Sequence, residues 1–313
     1  MRLMKGKILV TDSLFIFPEH EEILKNAGYE IERLNKPEAT EDELASAIQG
    51  KIGYILGGIE KVTDKVIEAA DDLKVIAFTG SDWKAFITGH ETATKRGISI
   101  ANTPGANSYA VAEYAITLML GMMRNIFELG RTGTKTFQTT HSLNELTAGI
   151  IGMGNVGEIV TTNLKKLGAK KVVYFSRTRK PEIEKQNIEY LNMDEVLSQS
   201  DIVFLLIPKS SGENFLGAKE FKLMKDGSLF VNIASRSLVD KDALFHELET
   251  SRLRAVQDGK IDKRFDSLPL SIWFNSNESA AYNTLGANKT ASDMAVQSII
   301  NILESGEDKY KVN

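Results

Sequence analysis

The stretch Gly152-Met153-Gly154-Asn155-Val156-Gly157 carries three glycines at a spacing that lets a backbone wrap an anion. The run Gly149-Ile150-Ile151 before it reads as a strand, and residues 158–167 after it read as an amphipathic helix. In that setting Gly152 permits the tight turn, Gly154 lets a phosphate approach the backbone, and Gly157 lets helix and strand pack closely. Free N–H groups at the helix start, from Asn155 onward through Val156, complete an anion site. The pattern predicts the pyrophosphate of a nicotinamide dinucleotide. The next strand, 172–175, runs into Ser176-Arg177-Thr178-Arg179. A carboxylate about 20 residues past the loop would hold the ribose 2′-hydroxyl of NAD, and none stands here. Hydroxyls and guanidinium groups accept a 2′-phosphate that a carboxylate would repel. Ser176, Arg177 and Thr178 are therefore expected to select NADP(H) over NAD(H).

Other chemistries are excluded. With no cysteine, the chain has no disulfide, zinc-thiolate site, iron–sulfur cluster or cysteine nucleophile, and no metal site is expected. A net charge of −4 with no basic stripe argues against nucleic acid. The start, MRLMKGKILVTD, lacks an apolar run long enough for a signal peptide. The most apolar stretch, 109–123, is interrupted by Glu113, Tyr114 and Thr117, so no membrane span is expected. Cysteine-free composition fits a reducing cytosol, and the expected location is cytoplasmic.

The elements that must position the loop come in two alternating series. At 313 residues the chain has room for two domains. Short β-branched runs at 7–11, 30–34, 54–56, 74–78 and 99–101 alternate with helical patterns at 19–27, 41–48 and 63–70. A second series places strands at 148–151, 172–175, 202–206, 229–232 and 254–257. Its helices fall at 155–167, 192–199, 219–224 and 240–250, and a last helix at 289–305. Such alternation predicts an α/β protein with two doubly wound parallel sheets. A long helix, 108–129, is apolar around most of its circumference, so it should be buried against more than one neighbour. A polar segment, 131–145, separates it from the second series.

The motifs resemble the D-2-hydroxyacid dehydrogenase family over nearly the whole chain. ANTPGANSYAVAEYAITLML (101–120) is similar to the family's entry into its long interdomain helix, and GIIGMGNVG (149–157) to its nucleotide loop. DIVFLLIP (201–208) and LMKDGSLFVNIASRSLVDKDAL (223–244) are similar to the strand–loop–helix pieces that follow. The resemblance implies a Rossmann dinucleotide-binding domain, 106–284, inserted into a flavodoxin-like substrate domain, 1–105 plus 285–313. It implies a small-molecule substrate in the interdomain cleft and a homodimer formed through the nucleotide domain. It adds Pro208, Ile233 and Ala234 to the cofactor's contacts, and Asp258 to the nicotinamide amide. The implied reaction is hydride transfer between a nicotinamide and a 2-keto or 2-hydroxy carbon. An arginine holds the substrate carboxylate, a histidine exchanges the proton, and a glutamate orients the histidine.

Those last positions depart from the family pattern. The arginine slot falls on Ser235, with Arg236 one residue later. Where the family has proline then histidine, this chain has Tyr282 then Asn283, and asparagine is no acid–base group near neutral pH. The glutamate slot falls at Lys263. On the substrate side, Trp83 and Lys84 replace a glycine- and aspartate-containing turn, while Gly57-Gly58-Ile59 keeps small residues. His141 and His246 are not placed after a late strand. Beside an ordinary 2-hydroxyacid dehydrogenase using His141 or His246, two readings stay open. One is an NADP(H)-dependent oxidoreductase with altered catalytic residues, its proton coming from Lys260, Lys263, Tyr282 or the substrate. The other is a non-catalytic NADP(H)-binding sensor or interaction protein on the same scaffold.

Overall fold

A computed structural model describes residues 4–11, 16–36, 38–132 and 139–313. The first and last parts of the chain make one compact unit, Met1–Asn107 with Thr284–Asn313, and Ser108–Asn283 makes the other.

The first unit is built on strands β1 (Gly6–Thr11), β2 (Tyr29–Leu34), β3 (Lys51–Leu56), β4 (Val75–Phe78) and β5 (Ser99–Ala101), in the order β2-β1-β3-β4-β5. Every pairing is parallel. Parallel strands need helical crossovers, so both faces are covered and both must be apolar. On one face Tyr54, Leu56, Ile76 and Phe78 pack with Leu44, Val66 and Ile67. On the other Ile8, Val10, Ile55, Val75 and Ala77 meet Ala295, Val296 and Ile299 of the helix Leu285–Ser305. That terminal helix starts earlier than its apolar pattern suggests, because Thr284 caps it by accepting the Ala287 N–H at 3.2 Å.

The second unit carries β6 (Thr147–Ile151), β7 (Lys171–Phe175), β8 (Glu189–Tyr190), β9 (Ile202–Leu205), β10 (Leu229–Asn232), β11 (Arg254–Gln257) and β12 (Trp273–Asn275). Their order is β12-β11-β10-β9-β6-β7-β8, again all parallel. This is the doubly wound nucleotide-binding order extended by one edge strand, and the first unit has the flavodoxin-like order. The two-residue β8 and the edge strand β12 are too short to register in the periodicity. One face packs Ala148, Ile150, Val172, Phe204 and Val231 against Ala115, Met119, Val160 and Leu164. The other packs Val173, Val203, Leu205 and Phe230 against Val196, Leu197, Phe221 and Leu244.

The long helix expected over 108–129 is two helices, Ser108–Met123 and Ile126–Thr132. Asn125 takes a left-handed conformation with φ 53° and ends the first. The cause lies far along the chain. Arg254 donates to the carbonyl of Met122, to Asn125 Oδ1 at 2.7 Å and to the Ser271 carbonyl at 2.8 Å. The break lets Phe127 stack on Phe274 with ring centroids 3.8 Å apart. It also lays that ring over Gly121, where a Cβ would sit 2.5 Å from Phe127 Cζ. Glycine in a helix interior costs about 0.5–1 kcal/mol, and the partly buried Phe127 ring packed over it offsets that cost. The 131–145 segment lies partly outside the described residues. Among the described residues no helix is long and apolar enough to cross a membrane, and no cluster of three or more histidine, aspartate or glutamate side chains could hold a metal.

Arg254→Met strips those acceptors of their donor and leaves them half-buried. It should lower unfolding stability by about 2 kcal/mol, read from urea denaturation. A loss under about 0.5 kcal/mol would show that the break at Asn125 is held by other contacts.

Candidate functional site

In an open parallel sheet, ligands bind beyond the carboxyl ends of the strands where the winding reverses. In the second unit that point lies between β6 and β9, since β7 and β8 run to one side of β6 and β9 to β12 to the other. The loop Gly152–Gly157 leaves β6 there. Gly152 has φ 108°, and its N–H donates to the Phe175 carbonyl at 2.9 Å. A Cβ on it would lie 2.6 Å from the Leu206 carbonyl oxygen. A Cβ on Gly157 would lie 2.2 Å from the Gly152 carbonyl oxygen, so turn and helix touch only because both are glycine. Gly154 differs. It is extended, with φ −91° and ψ −164°, and a Cβ there would meet nothing within 4 Å. Its missing side chain therefore serves no contact inside the protein. It leaves open the approach to the helix Asn155–Lys166, whose first N–H groups have no partner within the helix. The cradle fits a dinucleotide pyrophosphate, which Gly154, Asn155, Val156 and Gly157 would hold.

A cavity of about 720 Å³ opens beside the cradle, lined by Gly152, Gly154, Ser176, Arg177, Thr178 and Pro208 among others. Six of the cofactor residues expected from the sequence thus come together on one wall. Lys180, Met193, Ser210, Ser211 and Phe215 also line it. Sequence reasoning missed these because they come from three separate loops and share no motif. The cations on the wall and beside it are unequal in availability. Lys180 pairs with Glu158 at 3.2 Å. Arg179 is held by both carboxylate oxygens of Glu184, through Nε at 2.7 and 3.0 Å and Nη2 at 2.6 Å. Arg177 is exposed and makes no ion pair or hydrogen bond among the described residues. Ser176 Oγ donates to the Thr178 carbonyl at 2.6 Å and shapes the turn. The Arg179 guanidinium, helped by the Tyr174 hydroxyl, holds the Glu184 carboxyl below its ordinary value of 4.5. The pair's stabilisation is thus complete above the ordinary carboxylate range and lost as pH falls through the lowered value.

The candidate catalytic residues expected from the sequence follow the ends of β10 and β11. Asn232 and Gln257, both fully buried, bridge these strands through a side-chain hydrogen bond in which Asn232 Nδ2 donates to Gln257 Oε1 at 2.8 Å. Asn232 Oδ1 accepts the Ala234 N–H at 3.0 Å, and Gln257 Nε2 donates to the Gly259 carbonyl at 3.1 Å. This ladder fixes Ile233, Ala234 and Ser235. Ser235 Oγ lies 3.0 Å from Ser237 Oγ. Arg236 opens a 3-10 turn, Arg236–Leu238, and its Nη1 donates to the Lys260 carbonyl. Asp258, expected against the nicotinamide amide, is nearly buried. Its Oδ1 accepts from Ser276 Oγ at 3.0 Å and Ala280 N at 2.9 Å, and its Oδ2 from Ala281 N at 3.4 Å. Its carboxylate thereby anchors the loop 276–283 that carries Tyr282 and Asn283, both exposed. Lys263 is exposed at the start of the 3-10 turn Lys263–Ser267. Lys260 pairs with Asp266 at 3.4 Å. His141 pairs with Glu145 at 2.8 Å, and His246 lies on the exposed side of the helix Lys241–Glu249.

In the first unit, the Gly57 N–H points to Thr11 Oγ1 at 3.5 Å. That hydroxyl belongs to a buried group with Tyr54 and Glu60, in which the Tyr54 hydroxyl donates to Glu60 Oε1 at 2.9 Å. Burial and the Glu60 charge push the Tyr54 phenol well above its ordinary range. Trp83 stands edge-on to His90, with centroids 5.5 Å apart, and Lys84 lies over the Trp83 ring.

Two doubly wound sheets and a glycine cradle at the switch point define a dinucleotide-binding α/β protein. The family model for the D-isomer specific 2-hydroxyacid dehydrogenase NAD-binding domain matches residues 116–260. A glyoxylate reductase of Thermococcus litoralis is 33% identical over 269 residues, 79% of this chain and 77% of that protein. A D-3-phosphoglycerate dehydrogenase of Archaeoglobus fulgidus is 30% identical over 256 residues, which span 80% of this chain and 47% of that longer protein. The crystal structure of a Thermus thermophilus protein superposes with a TM-score of 0.86 over 98% of this chain and 100% of that one, at 26% identity. The chain belongs to the D-isomer specific 2-hydroxyacid dehydrogenase family.

The glycine geometry separates folding from binding. Gly157→Ala drives a methyl into a backbone carbonyl and should cost about 1–3 kcal/mol of stability. Gly154→Ala should melt like the unaltered protein yet weaken dinucleotide binding by about tenfold or more, the worth of one charge-assisted hydrogen bond. Thermal melts beside fluorescence titrations with NADPH check both, and a Gly154→Ala protein that binds normally would place the pyrophosphate elsewhere.

Proposed function

We propose that the protein is an NADP(H)-dependent oxidoreductase acting on a 2-keto or 2-hydroxy acid, with catalytic side chains that differ from the family's usual set. The observation that carries the cofactor reading is Arg177, an uncommitted guanidinium on the cavity wall at the end of β7, flanked by the Ser176 and Thr178 hydroxyls. The carboxylates of Glu158, Glu182 and Glu184 are each engaged by a cation. A 2′-phosphate therefore meets one free positive charge and no free negative one.

A bound nicotinamide would supply hydride chemistry at the substrate carbon. The chain's own part is to hold the substrate carboxylate and move a proton. Arg236 takes the carboxylate role in place of Ser235, since one bond to the Lys260 carbonyl leaves most of its donors available. Lys263 takes the proton role. It makes no ion pair among the described residues, whereas Lys260 is engaged by Asp266. The relatives named glyoxylate reductase and D-3-phosphoglycerate dehydrogenase support a small 2-keto acid as substrate. The second reading, a dinucleotide sensor, is favoured by Ser235 and Asn283, neither of which can carry a proton or a full charge in the roles they replace.

Arg177→Ala should weaken NADPH binding by about 10- to 100-fold, the range of a hydrogen bond to a charged group, and change NADH binding less than twofold. Tighter binding of NADH by the unaltered protein would sink the cofactor reading. Mixing the protein with NADPH and a panel of 2-keto acids tests catalysis through loss of the reduced nicotinamide's absorbance. Lys263→Met should then lower kcat by about 100-fold, with Lys260→Met close to the unaltered protein. Tight NADPH binding with no turnover across the panel would favour the sensor.

A further inference from the structure

We propose that Tyr174 and Glu184 form a clamp that decides which arginine reads the cofactor's ribose, holding Arg179 away from the cavity so that Arg177 alone serves it. The proposal rests on the NADP(H) reading above and adds the residues that position its key side chain.

The two arginines stand two residues apart on one short turn, and the same guanidinium chemistry could serve a phosphate from either. Their surroundings differ. The Tyr174 side chain is fully buried under β7. Its hydroxyl accepts the Lys180 N–H at 2.7 Å and donates to Glu184 Oε1 at 2.9 Å. One phenol thus closes the 176–180 turn back onto the strand it left. Pro181 opens the short helix Pro181–Glu184, and its locked φ sets the direction in which Glu184 returns. Glu184 then commits both oxygens to Arg179 in a forked pair. The Arg179 guanidinium also lies over the Tyr190 ring, 5.4 Å from its centroid. Tyr190 in turn packs edge-on to Tyr174 at 5.3 Å.

The result is a closed circuit of Tyr174, Glu184, Arg179 and Tyr190. Among the described residues Arg179 does not line the cavity, and Arg177 does. A forked guanidinium–carboxylate pair is a strong, directional contact, so Arg179 is neutralised where it stands. Without the clamp the turn would offer two free cations in a loosely held backbone. With it, one cation remains and the backbone around it is pinned at Lys180. Tyr174 and Glu184 are positioning residues, because they act on the cofactor only through the turn.

The test is a double-mutant cycle on cofactor affinity, with dissociation constants for NADPH and NADH measured by fluorescence. The proteins are the unaltered one, Arg177→Ala, Glu184→Gln, the double variant and Tyr174→Phe. In the unaltered background Arg177→Ala should cost NADPH about 10- to 100-fold. In the Glu184→Gln background Arg179 is released and substitutes, so the same change should cost less than about a third as much. Tyr174→Phe keeps the buried ring but removes the hydroxyl. It should speed hydrogen exchange at the Lys180 amide and cut the preference for NADPH over NADH by about threefold or more. An equal cost of Arg177→Ala in both backgrounds, with the unaltered protein still preferring NADPH, overturns the clamp alone. So does a Tyr174→Phe protein with unchanged exchange and unchanged preference. An unaltered protein that binds NADH as tightly as NADPH overturns the cofactor reading and the clamp's role with it.

Discussion

The structure depends on one topological constraint, the reversal of winding beside β6. Parallel strands all present their carboxyl ends to the same edge, and the chain must leave β6 for β7 on one side and return to β9 on the other. No crossover helix can cover the gap so formed. Into it the chain puts a turn in which Gly152 and Gly157 touch and Gly154 is left bare. The helix Asn155–Lys166 then starts with its unpaired N–H groups at the gap. An anion site follows from the connectivity before any side chain is considered.

What surrounds the gap is held by polar groups that are themselves buried and satisfied. The Asn232–Gln257 ladder ties the ends of β10 and β11, and Asp258 ties the loop 276–283 to the same edge. Each unmet donor or acceptor there would cost about 1–3 kcal/mol, so these bonds fix geometry as well as add stability. They hold the strand ends from which Ser235, Arg236 and the loop carrying Asn283 extend. The scaffold's bonds run through Asn232, Gln257 and Asp258, and Ser235, Arg236 and Asn283 hang from it.

Much of the fold is legible in the sequence because parallel sheets bury both faces. Short β-branched runs alternating with helical stretches admit few other architectures, and Gly152, Gly154 and Gly157 stand where a β–turn–α unit needs them. The break at Asn125 was not legible. Residues 108–129 are apolar around most of the helix circumference, and the Arg254 that ends the first helix is 132 positions from the Met122 carbonyl it binds. In the site, the Ser176–Arg179 stretch is visible as hydroxyls and cations, but the sequence treats Arg177 and Arg179 alike. Arg179 is taken out by Glu184 and Tyr190, and Tyr190 belongs to a strand of two residues that no periodicity marks.

The sequence by itself determined the alternating α/β elements, the glycine cradle and the absence of a carboxylate at the end of β7. Each is a property of neighbouring residues, where spacing and residue type carry the physics directly. Only the tertiary structure decided that Asp258 commits its carboxylate to the loop 276–283, that the long helix ends at Met123, and that Arg177 rather than Arg179 stands free on the cavity wall. These are outcomes of competition among partners brought together from separate loops. A side chain's charge is written in the sequence, but whether that charge is already matched depends on what the fold sets beside it.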